Sequence, residues 1–292
     1  MQKRIEWLDL AKVLTMFFVI FDHLGLRNPN VSSWVYLFHL PTFFLISGVF
    51  YKQPQTFVVG LQKDALRLLL PVLIWWLIGM LMWQPFFSLY FHRQEFWNSY
   101  MQAVTDFFSG YQMSFGWFMV ALFLIKIEMF FLNKQKPYIR YLTALVVMPL
   151  GAWFLKYLMD GLLPFYLTNS LAAFPFFFVG HLMSDKIKGL SLKNISAIVI
   201  MTICFITTII LLPHVGHVSL NAVEYGNGIG WMYVAGLIGS LMIIMFSYSL
   251  KYISKHHVIN ILVGGVRWCC SYSNRHSFIY SRNCIKYCFI YR

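Results

Sequence analysis

The chain is predicted to be an all-α, polytopic transmembrane helix bundle of about eight spans with a cytoplasmic N-terminus, and three observations predict it. The first is composition: of 292 residues, 59% are hydrophobic, 19% aromatic and only 11% charged, whereas a soluble domain carries roughly 25% charged residues. The second is the set of apolar runs, several of which reach the roughly 18 or more residues needed to cross a hydrocarbon layer about 30 Å thick. The third is where the basic residues fall. A formal charge of +13 on a nucleic-acid-binding domain would form a face or stripe, but here lysines and arginines sit in short clusters between the apolar runs, so no nucleic-acid partner is expected.

The expected spans cover residues 7–26, 33–51, 67–90, 115–133, 139–158, 168–184, 194–213 and 230–250. The first run carries Asp9, Lys12, Asp22 and His23 and lacks a small-residue cleavage site, so it reads as a retained span and not as a signal peptide. Between the third and fourth spans, residues 92–114 are too polar to cross. Phe96, Trp97, Tyr100, Val104, Phe107 and Phe108 recur there at helical spacing, as in an amphipathic helix lying at the interface. Basic residues then mark alternate connections: Lys3 and Arg4; Lys52, Lys63 and Arg67; Lys134, Lys136 and Arg140; Lys186, Lys188 and Lys193; Lys251 and Lys255. Basic residues favour cytoplasmic loops, and a wrong span count would have scrambled the alternation. Both ends of the eight-span segment are therefore expected inside.

Residues 1–263 read as one transmembrane domain and 264–292 as an atypical Cys/Arg-rich tail. A reading-frame change near codon 265 explains this ending, and a divergent cytoplasmic tail is the alternative. The spacing of Cys204, Cys269, Cys270, Cys284 and Cys288 fits neither a zinc ribbon nor a redox pair. Free thiols, and no metal, are expected.

Ionisable side chains inside a bilayer are expensive and usually mark a cavity, a partner or a reaction site. In the first span Lys12 and His23 are eleven residues apart, close to three full turns, so they share a face about 16 Å apart along the axis. Asp9, one turn before Lys12, is placed to pair with it. The alternative is that Asp9 and Lys12 snorkel to one interface while His23 is a packing histidine. His39 enters the antiparallel second span at a depth matching His23, so two imidazoles are expected to converge on one pocket. Histidine accepts and returns a proton near neutral pH. Asp22 is a candidate to orient His23, although adjacent helical side chains diverge.

The segment Trp7 to His23, WLDLAKVLTMFFVIFDH, followed by FHLPTFFLISGVFY from Phe38 to Tyr51, resembles the opening of the membrane acyltransferase 3 family, particularly its sugar O-acetylase branch, which includes fucose 4-O-acetylase-like proteins. KDALRLLLPVLIWW (Lys63 to Trp76), WFMVALFLIKI (Trp117 to Ile127) and FPFFFVGHLM (Phe174 to Met183) resemble later family segments in the same order. The resemblance implies a membrane enzyme, usually of about ten spans, that takes an acyl group from cytoplasmic acetyl-CoA or another acyl-CoA. It delivers that group to a hydroxyl of a cell-surface glycan or lipid-linked sugar at the plasma membrane. It implies catalysis by His23 and donor contact by Lys12, where the family often has arginine; Asp22 and His39 remain supporting candidates from their positions in the spans. Lys12 keeps the charge but not the bidentate fork.

Arg67, just before Pro71, is placed to meet a phosphate or to serve as an ordinary basic anchor. Ser47 and Gly48 permit close helix approach. Trp117 and Phe118 are expected at the interface, and Lys126 and Glu128 are expected to snorkel. His181, His214 and His217 are expected to be solvated or capping residues. The competing functional class is a transporter or flippase of a lipid-linked sugar or small solute, against which stands the lack of a repeated half between residues 1–130 and 130–260.

Overall fold

Caps and prolines decide where these apolar segments begin and bend. The computed structural model describes residues 5–23, 28–79, 105, 116–158 and 166–252. The expected interfacial helix, the far end of the third span and the 263/264 domain boundary lie outside the described residues. Helix α1 spans Glu6–His23. Asn28 caps α2 (Pro29–Tyr36) by accepting from the Asn30 N–H at 3.1 Å, with proline at the first turn where no N–H is needed. After a turn at Leu37 and Phe38, α3 (His39–Val49) continues the same apolar stretch. Thr56 caps α4 (Phe57–Asp64). A π-helical turn, Ala65–Leu69, joins it to α5 (Leu70–Ile78).

The same device recurs between α7 (Pro137–Leu142) and α8 (Met148–Leu158), where Thr143–Val147 is π-helical. Each π turn ends just ahead of a proline, Pro71 or Pro149. A proline ring lacks an N–H and crowds the carbonyl four residues back, so widening the preceding turn removes the conflict. The other α-helices among the described residues are α6 (Trp117–Leu132), α9 (Leu167–Leu182), α10 (Ser184–Lys188), α11 (Asn194–Val215) and α12 (Ile229–Ser249). Pro175 lies inside α9, and the Tyr233 hydroxyl donates at 2.9 Å to the Ala172 carbonyl beside the break.

All eight expected spans carry a helix. Among the described residues, four stretches are long and apolar enough to cross a membrane by themselves: Pro29–Val49, Pro137–Leu158, Asn194–Val215 and Ile229–Ser249. The sequence reading missed one element, an antiparallel hairpin between α11 and α12 that pairs β1 (Val218–Ser219) with β2 (Glu224–Tyr225). Gly216 and Gly226, at φ 73° and 59°, allow the chain to turn in and out of it. Buried Asn169 of α9 donates to the Leu220 and Asn221 carbonyls at 2.6 and 3.0 Å, which fastens the hairpin to the bundle.

Helix α3 is the hub of the packing. In its last turn Gly48 lies against the α9 backbone, where an added methyl would overlap the Phe177 carbonyl; reciprocally, a methyl on Gly180 would overlap the carbonyl of Leu45. On the other side, Gly236 and Gly239 of α12 leave room for Phe176, Pro41 and Phe38. Between these glycines buried Thr42 donates to the Phe38 carbonyl at 2.6 Å and lies 3.2 Å from Ser240 Oγ. Small residues and short hydroxyls are what bring helix backbones close where lipid supplies no hydrophobic drive between helices. Helix α1 packs on α3 and α12, with Trp7 edge-on to Tyr248 (5.3 Å between ring centroids) and Phe18 edge-on to Phe38 (5.3 Å).

The close α3–α9 approach predicts that Gly48→Ala and Gly180→Ala each cost about 1–3 kcal/mol through overpacking. Gly230→Ala, whose added methyl meets no described atom within 4 Å, should be near neutral. Thermal unfolding in detergent compares the three.

Candidate functional site

Helix α1 separates two groups of polar side chains, one at each end of the bundle. At the end where α1 finishes, His23 is exposed and closes a stripe of exposed apolar residues formed by Val13, Met16, Phe17 and Ile20. Its Nδ1 lies 2.8 Å from the Val19 carbonyl. A carbonyl can only accept, so in the neutral ring Nδ1 carries the hydrogen and Nε2 keeps its lone pair. That is the tautomer a general base needs. The side chain of Asp22 lies outside the described part.

His39, the other expected base, is 3% exposed, and its Nδ1 likewise donates to a carbonyl on its own chain, Val35, at 2.8 Å. The two histidines thus share an end of the bundle but not a hydrogen bond. His23 faces outward, whereas His39 packs edge-on to Tyr36 at 5.0 Å. Tyr36 also meets His217 of the hairpin loop at 5.5 Å, and His217 Nε2 lies 3.5 Å from Glu224 Oε2. His214 is stacked on Trp231, with 6.2 Å between centroids.

At the opposite end Lys12 pairs with Asp9, Nζ to Oδ1 3.2 Å, and its side chain is 38% exposed. The pairing is the one that the i, i+3 spacing leads one to expect. Its ammonium also sits 4.3 Å from the centre of the Phe50 ring. A second cation reaches that ring from α10: Lys188 Nζ is 5.6 Å from the same centroid and donates at 2.7 Å to Ser184 Oγ, which in turn donates at 2.8 Å to the Val49 carbonyl. Arg67 is exposed on the first π turn, which packs against α6, and so does not join this pair of lysines on Phe50.

Packing revises several of the sequence expectations. Lys126 does not snorkel: it forms an ion pair with Asp64 across the α4–α6 contact, 2.7 Å, with side chains 23% and 19% exposed. Glu128 is half-buried against α9, where Ser170 Oγ donates to Oε1 at 2.9 Å, while the shielded Oε2 has no partner among the described residues. Trp117, at the start of α6, is buried against Tyr166, and Phe118 packs on Phe44. His181, expected to be solvated, has a buried Nδ1 without a partner among the described residues, and its ring lies edge-on to Tyr51 at 5.5 Å.

A protein-family model described as an acyltransferase domain, acyltransferase 3, matches residues 5–279. No curated protein and no solved structure matches the chain. The matched segment includes both ends of α1, all of α3 and α10 with Lys188.

The Asp64–Lys126 pair ties the start of the third span to α6. Removing one partner strands a half-buried charge, so Lys126→Met is expected to cost about 1–3 kcal/mol, and Asp64→Asn/Lys126→Met together distinctly less than the sum. A double-mutant cycle on unfolding in detergent reads the coupling.

Proposed function

Since the chain belongs to the acyltransferase 3 family, we propose that it is a membrane O-acyltransferase, with acetyl as the group moved. The donor is acyl-coenzyme A on the cytoplasmic side. The acceptor is a hydroxyl of a cell-surface or lipid-linked glycan on the other side of the plasma membrane, in keeping with the sugar O-acetylase branch that the sequence resembles. The positive-inside pattern supports this orientation, because it puts Lys12, Lys188 and Arg67 inside and His23 outside.

The observation that carries the reading is the His23 ring, held by its Nδ1–H on the Val19 carbonyl and exposed at the end of α1. Its Nε2 takes the proton of the acceptor hydroxyl as that oxygen attacks the thioester carbonyl carbon. The new C–O ester bond forms, the C–S bond breaks, and the thiolate released as coenzyme A recovers a proton. His39 and Asp22 are supporting candidates at the same end, and Lys12 and Arg67 meet the anionic part of the donor.

General-base catalysis contributes about 10²–10⁴-fold. His23→Ala should therefore lower acetyl transfer from acetyl-coenzyme A by about that factor while leaving abundance and membrane insertion unchanged. Mass spectrometry of surface glycan and assay of coenzyme A release, with and without the gene, provide the readouts. Full transfer by the variant reassigns the base, and absence of both activities from the unmodified chain favours transport.

A further inference from the structure

We infer that Lys188, with Lys12 and Phe50, forms a phosphate clamp that holds the anionic portion of the acyl donor; this rests on the donor reading above and adds a residue and a platform to it. Lys188 was indistinguishable in sequence from Lys186 and Lys193, its neighbours in one basic cluster. Packing separates them. The short helix α10 lies against the end of α3, and Ser184 is pinned to the Val49 carbonyl while accepting from Lys188 at 2.7 Å. Lys186 is exposed, whereas Lys188 is half-buried and turned to Phe50.

Two ammonium groups that share one aromatic ring, 4.3 and 5.6 Å from its centre, lie within about 10 Å of each other. They repel, and the ring face only partly offsets that repulsion. Asp9 is the carboxylate at hand for Lys12, and Asp185 of α10 is exposed. A pyrophosphate or phosphomonoester placed between the ammonium groups would supply the opposite charge to both, with its oxygens accepting from each. The Phe50 ring is partly exposed, so this pair of cations is open to a ligand. His181, whose buried Nδ1 has no partner among the described residues, packs edge-on to Tyr51, the residue next to Phe50.

Phosphate can come from a soluble nucleotide or from an anionic lipid headgroup, and the experiment separates them. The full chain, purified in detergent, is titrated with coenzyme A, and in a second arm it is placed in nanodiscs with or without phosphatidylglycerol. Lys188→Gln is expected to weaken coenzyme A binding about tenfold or more and to flatten its salt dependence. Lys188→Arg should recover most of the loss, and Lys186→Gln should match the unmodified chain. Phe50→Leu should weaken binding by a smaller factor.

Coenzyme A binding that is the same in Lys188→Gln and Lys186→Gln overturns the clamp and leaves the donor reading standing. If the unmodified chain fails to bind coenzyme A but retains phosphatidylglycerol in a Lys188-dependent way, the site belongs to a headgroup and the donor reading falls. If it binds neither, both fall. His23→Ala should bind coenzyme A like the unmodified chain, which distinguishes a broken clamp from broken chemistry.

Discussion

The backbone-to-backbone approach of α3 and α9 at Gly48 and Gly180 is the constraint on which the rest of the arrangement depends. In lipid, apolar side chains gain nothing from hiding beside one another, so helices are held by close packing and by polar contacts that the bilayer cannot replace. Here two glycines bring α3 onto α9, and Gly236 and Gly239 bring α12 onto the other flank of α3. With both flanks fixed, the two ends of α3 are fixed too. Tyr36 and His39 stand at one end, and Phe50 and Tyr51 at the other.

Helix α1 runs alongside this hub and inherits its polarity. Its first half contributes Lys12 to the Phe50 ring, and its last residue is the exposed His23. The intervening helix is an apolar spacer of about 16 Å. In the proposed reaction a base at one end of α1 and cations at the other suit a transfer between two aqueous compartments, because a hydroxyl and a phosphate-bearing donor would arrive from opposite sides. The hydrogen bond from Nδ1 to the Val19 carbonyl assigns the lone pair of the neutral ring to Nε2, the nitrogen on which the proposed reaction relies.

Much of the architecture was legible in the sequence because it depends on quantities that composition carries: run length, the alternation of basic connections, and the glycine at position 48. The Lys12–Asp9 pair was legible too, being local to one helix. What depends on which faces meet was not. Glu128 and Lys126 are two residues apart, and only the position of α9 and α4 decides that one accepts from Ser170 while the other pairs with Asp64. Lys188 resembles every other lysine of its cluster until α10 docks on α3. The hairpin after α11 was hidden because its strands are two residues each, too short for any alternation, although Gly216 and Gly226 marked its turns. His39 was rightly seen as sharing an end with His23, but the rotation of α3 that buries it could not be read from depth alone.

The central claim is that His23 and the Lys12–Lys188 pair open to opposite aqueous compartments. Its most direct test is cysteine accessibility in sealed vesicles, using a chain whose five cysteines are replaced by serine and a single cysteine is placed at position 23 or 188. A membrane-impermeant maleimide should label position 23 only from the extracytoplasmic side and position 188 only from the cytoplasmic side. Labelling of both from one side, or a position 23 that no aqueous reagent reaches because it faces lipid, would contradict the account.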